Sequence, residues 1–395
     1  MFGYLDKGNS SNRNAFRTVA SVAVAVGGKG KGTVRRLQSL SKSALHRQRI
    51  KERKERAAAI RQQFRSRKGV RRLTIHFDGI HVLPLEPGSR RKHVERLPTI
   101  VTGQDVDQLL PARIVPSGSG EHMASEVVQC LHDWECADEV VAVRTDTTSS
   151  NTGYGIGAAT RIEQALGREL LYLACRHHVL EVIPKTLFDR LIEKSKSPDL
   201  GTLCKSLQDR WNGMDQTAFK SAMEDPKCTD FLADRQVEIL EFAEHALQKP
   251  HTRADYRYLL ELVVIFLGGT PREGQPIKFS PPIAVSSARF MGRIVYCLTI
   301  HMFALTGEFE IEDKILQNLR ELNLFFVSTY LVPWFTSTIP AIAPRTDLQL
   351  AKSIIDYPQS QKISEIASTA FRNHLWYLHG VTVGLPFFDE SALRV

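Results

Sequence analysis

From residue 73 to residue 194 the chain alternates β-branched runs with amphipathic stretches, and this alternation limits the fold more than any other feature. LTIHFDG (73–79), RLPTIVTG (96–103), EVVAVRTD (139–146) and ELLYLACR (169–176) read as strands. PLEPGSRRKHVE, between the first two, reads as a turn and a polar strand. GEHMASEVVQCLHDWECAD (120–138) carries Met123, Val127, Cys130, Leu131 and Trp134 at helical spacing. YGIGAATRIEQALG (154–167) reads as a helix closed by glycine, and HHVLEVIPKTLFDRLIEK (177–194) as a further helix. Three leading strands and then βα pairs predict an α/β domain whose βα pairs make a mostly parallel sheet with helices on its faces.

Beyond residue 200 the pattern is mainly helical, over 230–247, 255–267, 286–305, 311–331, 347–356 and 361–379. Pro250, Pro271, Pro276, Pro281, Pro282, Pro340 and Pro344 punctuate it. The expected organisation is an arm over 1–72, an α/β core over 73–194, and a helical region over 195–395 that contains an insertion and the end of the core.

Charge separates the arm from the rest. Residues 1–72 hold 20 of the 52 Lys/Arg but three of the 43 acids, Asp6, Glu52 and Glu55. Everything beyond is mildly acidic. Residues 33–68 read as helix in two pieces, with Thr33 or Ser41 as caps. Such an arm suits a polyanion. A nucleic acid is one such partner, an anionic membrane surface another, and a solvated basic helix needs neither. On the nucleic-acid reading, Arg35, Arg36, Arg47, Arg49, Arg53, Lys54 and Arg56 contact phosphates.

Six cysteines without a CxxC pair fit a reducing compartment and give no zinc ribbon. The apolar run Val19 to Val26 has the length of a signal-peptide core, but a dense basic segment follows where a cleavage region belongs. A mitochondrial presequence is a second alternative for this Arg-, Ser- and Ala-rich stretch. The basic runs RIKERKER and RSRKGVRR lead us to expect a nuclear protein. No run reaches the ~18–20 apolar residues of a bilayer span, so no membrane partner is expected.

Two strands end in aspartate, Asp78 and Asp146. Were those strands neighbours, both carboxylates would leave the same edge and could hold Mg²⁺ or Mn²⁺ through oxygen ligands. Such an arrangement cleaves phosphodiesters by activating the nucleophile and stabilising the leaving oxygen. Each aspartate alone is equally a strand-terminal turn residue. Glu181, on the following helix, is the provisional third acid; it is also a first-turn residue favoured by the helix dipole. Glu261, Glu308, Glu310 and Glu365 are alternatives. Cys175, His177 and His178 cluster at a strand-to-helix junction and are expected at the edge of the site. Cys175 and His178 also have the spacing of half a zinc site. Arg210–Trp211 and Arg289–Phe290 pair a base-stacking ring with a cation, although such rings are more often core.

Three leading strands before alternating helices also form the order of a ribonuclease H-like fold, which would make the sheet mixed. The segments LTIHFDG, RLPTIVTG, TDTTSSNTG, LLYLACRHHVLEVI, VIFLGG, ARFMGRIVYCL and HLWYL resemble transposable-element proteins with such a core, similar in layout to hAT-type DNA transposases. The resemblance covers roughly residues 70–390. It implies a first catalytic Asp at Asp78, a second at Asp146 before a turn containing Asn151, and a Cys-x-x-His at Cys175 and His178. It further implies an Arg-Trp motif at Arg210–Trp211 or Arg289–Phe290, and a third acid that is a Glu after a helical insertion. Glu181 stands where the hAT pattern has Asn, Phe77 and Phe290 stand where relatives have Trp, and no N-terminal zinc finger is present.

The expected protein is thus a transposase-like DNA-binding protein that uses Mg²⁺ or Mn²⁺ at Asp78 and Asp146, self-associates, and takes no small-molecule substrate. An inactive, host-retained protein derived from such an element is the alternative, and a ribonuclease H-like enzyme acting on RNA a third.

Overall fold

The computed structural model of the chain describes residues 42–67, 71–82, 94–153, 155–195, 200–251, 253–272, 274–282, 291–337 and 343–373. Arg35, Arg36, Arg289, Phe290, the caps Thr33 and Ser41, and the HLWYL segment lie outside them.

In chain order the elements are α1 (Lys42–Arg65), β1 (Leu73–Phe77), β2 (Ile80–Val82), β3 (Val94–Leu97), β4 (Thr99–Gly103), β5 (Val106–Leu109), β6 (Arg113–Ile114) and α2 (Gly120–Asp133). There follow β7 (Val140–Thr145), α3 (Ser149–Thr152), α4 (Ala158–Leu166), β8 (Leu171–Ala174), α5 (Arg176–Leu191), α6 (Thr202–Arg210), α7 (Pro226–Leu232) and α8 (Gln236–Leu247). The remainder is α9 (Ala254–Phe266), α10 (Gly292–Ala304), α11 (Asp313–Phe325), α12 (Leu331–Thr336), α13 (Ala343–Ile355) and α14 (Gln361–Arg372).

The chain divides into two compact units, Met1–Arg72 with Val128–Glu139, and Leu73–Val127 with Val140–Val395. In the smaller unit α1 is a basic helix that begins directly after Ser41, and the piece expected to start at Thr33 lies outside the described residues. Its anchor is Phe64, buried edge-on to Trp134 at 5.4 Å between ring centroids. Arg71 lies over the Phe64 ring at 4.4 Å and forks onto Glu139. Arg65 donates to the Asp133 carbonyl at 2.7 Å and pairs with Glu135 at 2.6 Å.

The larger unit is built on a five-stranded mixed sheet of order β5-β4-β1-β7-β8. β4 runs antiparallel to β1 and β5, while β1, β7 and β8 run parallel. Leu73, Ile75 and Phe77 alternate with half-exposed Thr74 and His76, so period-2 patterning gives β1 one buried face. The run 96–103, expected as one strand, is two. Pro98 has no N–H to give a ladder, and it separates β3 from β4, which lie in different sheets. β3 forms a small antiparallel sheet with β2 and β6. The third strand of the large sheet is β5, which follows a tight turn where Asp105 adopts φ 57°.

The helical part holds most of the core. Pro184 sits inside α5 and cannot donate to the Leu180 carbonyl four residues back. The Tyr330 hydroxyl donates to that carbonyl at 3.1 Å instead, so a buried tyrosine satisfies what the proline left open. Tyr330 closes a π-helical turn, Phe326–Tyr330, between α11 and α12. Pro333 lies three residues beyond Tyr330, within the first turn of α12.

Candidate metal and phosphate site

The strand register builds the site. Ile75 pairs with Val143 and His76 with Arg144; continued by two residues, this sets Asp78 beside Asp146. Thr145 pairs with Ala174, which sets Cys175 beside Asp146 in turn, and the Cys175 N–H donates to the Thr145 carbonyl at 2.9 Å. Asp78, Asp146 and Cys175 thus form one row across the carboxyl ends of three parallel strands. All three line a cleft of about 320 Å³ together with His76 and Arg144. Its remaining wall is largely apolar, with Phe77, Ile80, Pro98 and Ile100.

Asp146 is held by its own loop. Its Oδ1 accepts from the Thr148 N–H at 3.0 Å, the Thr148 hydroxyl at 2.7 Å and the Asn151 amide at 2.6 Å. Oδ2 stands outside that network. Asn151 is buried on α3, a single short turn. Gly120, at the start of α2, allows close backbone approach to this loop: a Cβ there would lie 2.6 Å from the Ile156 carbonyl and 2.7 Å from that of Ser150. The Tyr172 hydroxyl reaches the Asp146 carbonyl at 3.2 Å and the Thr145 hydroxyl at 2.7 Å.

His178 feels both aspartates. Burial depresses its pKa, and the charges of Asp146 and Asp78 oppose that shift. His177 turns elsewhere, stacking on Trp334 with ring centroids 4.3 Å apart in a second cleft of about 260 Å³ that Tyr256 and Phe335 also line. Burial, Arg144 and Arg176 push its pKa down to about 4, so it is neutral at pH 7.

Glu181 is half-buried, and its charge acts on Tyr256 and Tyr330; it does not line the aspartate cleft. Nor do the alternative acids. Glu261 pairs with Arg257 and Arg272, Glu308 accepts from the Asp215 N–H, Glu365 accepts from Gln361, and Glu310 is exposed. Of the arm residues, Arg47, Arg53, Lys54 and Arg56 are exposed and Arg49 is buried. Trp211 is buried against Phe303, and Arg210 lies over the Phe309 ring.

Two residues that sequence reasoning passed over stand close by. Arg144 is two positions before Asp146, an offset that period-2 patterning could have flagged. Asp347, from α13, receives the fork of Arg176, the first residue of α5. Nothing local in the sequence marks Asp347.

Two carboxylates in one row, with room for water or phosphate oxygens, fit a hard divalent cation. A buried Asp225–Cys228–His301 group is also present, with ligand atoms within 4.8 Å of one another. Its chemistry suits a cation less well. The Asn323 amide nitrogen donates to the Cys297 carbonyl at 3.0 Å and faces His301 Nδ1 at 3.2 Å, which makes Nδ1 the acceptor and leaves the proton on Nε2. Asp225 is already paired with Arg320 at 2.6 Å. The group reads as a polar tie between α7, α10 and α11.

No family model and no curated protein matches the chain. Among solved structures, the Drosophila P element transposase strand transfer complex matches at 10% identity, with a TM-score of 0.27 over 93% of each chain. An overlap that loose leaves the chemistry to be argued from the residues. The chain has a mixed α/β architecture, and among the described residues no helix is long and apolar enough to cross a membrane.

Proposed function

We propose that the chain is a transposase-like DNA-binding protein with a ribonuclease H-like core, in which Asp78 and Asp146 hold Mg²⁺ or Mn²⁺ for phosphodiester cleavage and strand transfer. The observation that carries this reading is the row of two aspartates at the ends of adjacent parallel strands, opening on one cleft. The sheet order, a three-strand meander followed by two parallel strands on the other side of β1, supports the fold assignment. When bound, the cation supplies charge for the attacking and leaving oxygens. The chain's part is to fix Asp146 through Thr148 and Asn151 and to keep His178 neutral beside the carboxylates by burial. The basic arm supplies phosphate contacts, and a nuclear location and self-association belong to the same proposal.

The second reading, a DNA-binding protein of this descent that no longer cuts, has its own support. Glu181 does not line the cleft of Asp78 and Asp146, so the expected third acid does not join them there. A nicking and strand-transfer assay on duplex DNA with Mg²⁺ or Mn²⁺ separates the two. Wild-type cleavage lost in Asp146→Asn supports the first. Salt-sensitive binding without metal-dependent cleavage supports the second. No binding at all defeats both.

A further inference from the structure

Arg144 lies on β7 and Asp146 follows directly after its last residue, two positions on, so in extended chain their side chains leave the same face. Across the β1–β7 ladder Arg144 pairs with His76, and the same register continued by two residues sets Asp78 beside Asp146. One row of the face therefore carries two carboxylates, and the row behind it, roughly 6.6–6.8 Å back along the strands, carries an imidazole and a guanidinium. Both rows line the same cleft.

The two basic groups are in different states. His76 is engaged with the Thr102 hydroxyl at 2.7 Å, and burial and the Arg144 charge depress its pKa. The Arg144 side chain is exposed and makes no hydrogen bond or ion pair among the described residues. Other arginines of the fold are matched: Arg71 to Glu139, Arg176 to Asp347, Arg320 to Asp225. A guanidinium presents five donors in a planar fork that suits phosphate oxygens. Ile80, Pro98 and Ile100 give one side of the cleft an apolar wall. That wall suits the uncharged faces of sugars and bases.

We propose that Arg144 binds a backbone phosphate of the DNA strand adjacent to the one placed at Asp78 and Asp146, and so sets which phosphodiester lies at the carboxylates. This rests on the nuclease reading above and adds the residue that fixes the register of the strand. Arg144 is a positioning residue: it acts on a neighbouring phosphate and takes no part in the reacting bond.

The test uses the full chain as wild type, Arg144→Ala, Arg144→Lys and Asp146→Asn. Binding of an end-labelled duplex is titrated with Ca²⁺ across a salt series, and cleavage is mapped at single-nucleotide resolution with Mn²⁺. Arg144→Ala is expected to bind about ten-fold more weakly. Its salt slope should fall by about 0.9, one phosphate contact. Its cuts should spread to neighbouring phosphodiesters, with KM raised more than kcat is lowered. Arg144→Lys should regain most of the affinity and little of the cut-site fidelity, because a point charge lacks the fork. If Arg144→Ala keeps wild-type affinity, slope and cut position while Asp146→Asn loses cleavage, the assignment of Arg144 fails and the nuclease reading stands. If the wild type does not cut, the nuclease reading fails, and unchanged Ca²⁺ affinity and slope in Arg144→Ala would overturn the phosphate contact separately.

Discussion

Replacing Asp347 by alanine should destabilise the larger unit by about 3–5 kcal/mol, the cost of stranding a buried charge. Arg176 and Asp347 are 6% and 2% exposed, and the guanidinium forks onto both carboxylate oxygens. Burial raises the Asp347 pKa despite the neighbouring guanidinium, so desolvation consumes much of what the attraction provides. The intact pair therefore adds little net stability, whereas an unpaired Arg176 has no carboxylate to replace the water it lost. Two variants separate those statements. Asp347→Ala should lower the free energy of unfolding by the full amount, read by urea denaturation with far-UV circular dichroism. The double variant Arg176→Met, Asp347→Leu should lie within about 1 kcal/mol of wild type, because apolar groups of similar volume replace such pairs nearly neutrally. A loss below 1 kcal/mol in Asp347→Ala, or a double variant as unstable as the single, would refute the reasoning.

His301 predicts a pH dependence. Burial, with Arg320 adding to it, pushes its pKa down to about 4 against 6.5 in the unfolded chain. The unfolded state then binds more protons between those values, so stability rises with pH across the window and is lost as pH falls from 6.5 toward 4. The change is of order 3 kcal/mol, and His301→Gln should flatten it; melting curves at pH 4.5, 5.5 and 6.5 give the slope. Gly120→Ala should cost about 1–3 kcal/mol, since its Cβ meets three backbone atoms within 2.9 Å. Gly213→Ala, with nothing within 4 Å, is the neutral control in the same thermal melts.

The parts of the fold that were legible in sequence are those with strong local patterning. LTIHFDG, EVVAVRTD and ELLYLACR alternate or run apolar over whole strands, and β1, β7 and β8 lie within them. What failed was pairing. β5 is short and polar, VDQL, and its place in the sheet depends on a turn at Asp105 that local propensity does not announce. RLPTIVTG reads as one strand on its β-branched residues, but Pro98 marks the passage between two sheets. At the candidate site, Asp78 and Asp146 are legible because each directly follows a strand pattern in the sequence. Arg144 meets the cleft, and Asp347 meets Arg176, only through neighbours adjacent in space. The orientation of His177 depends on aromatic packing with Trp334 and Tyr256, more than 70 residues downstream.

Because backbone ladders set the row of Asp78, Asp146 and Cys175, its spacing is indifferent to the length of the chain between its members. The connections can gain or lose residues, and an entire helical region can be lodged after α5, without shifting one carboxylate relative to the other. A single residue inserted within β1 or β7 does the opposite, rotating everything beyond it to the other face. The protein's tolerance of insertions and deletions should therefore be sharply uneven, permissive in the joints and unforgiving over barely a dozen strand positions.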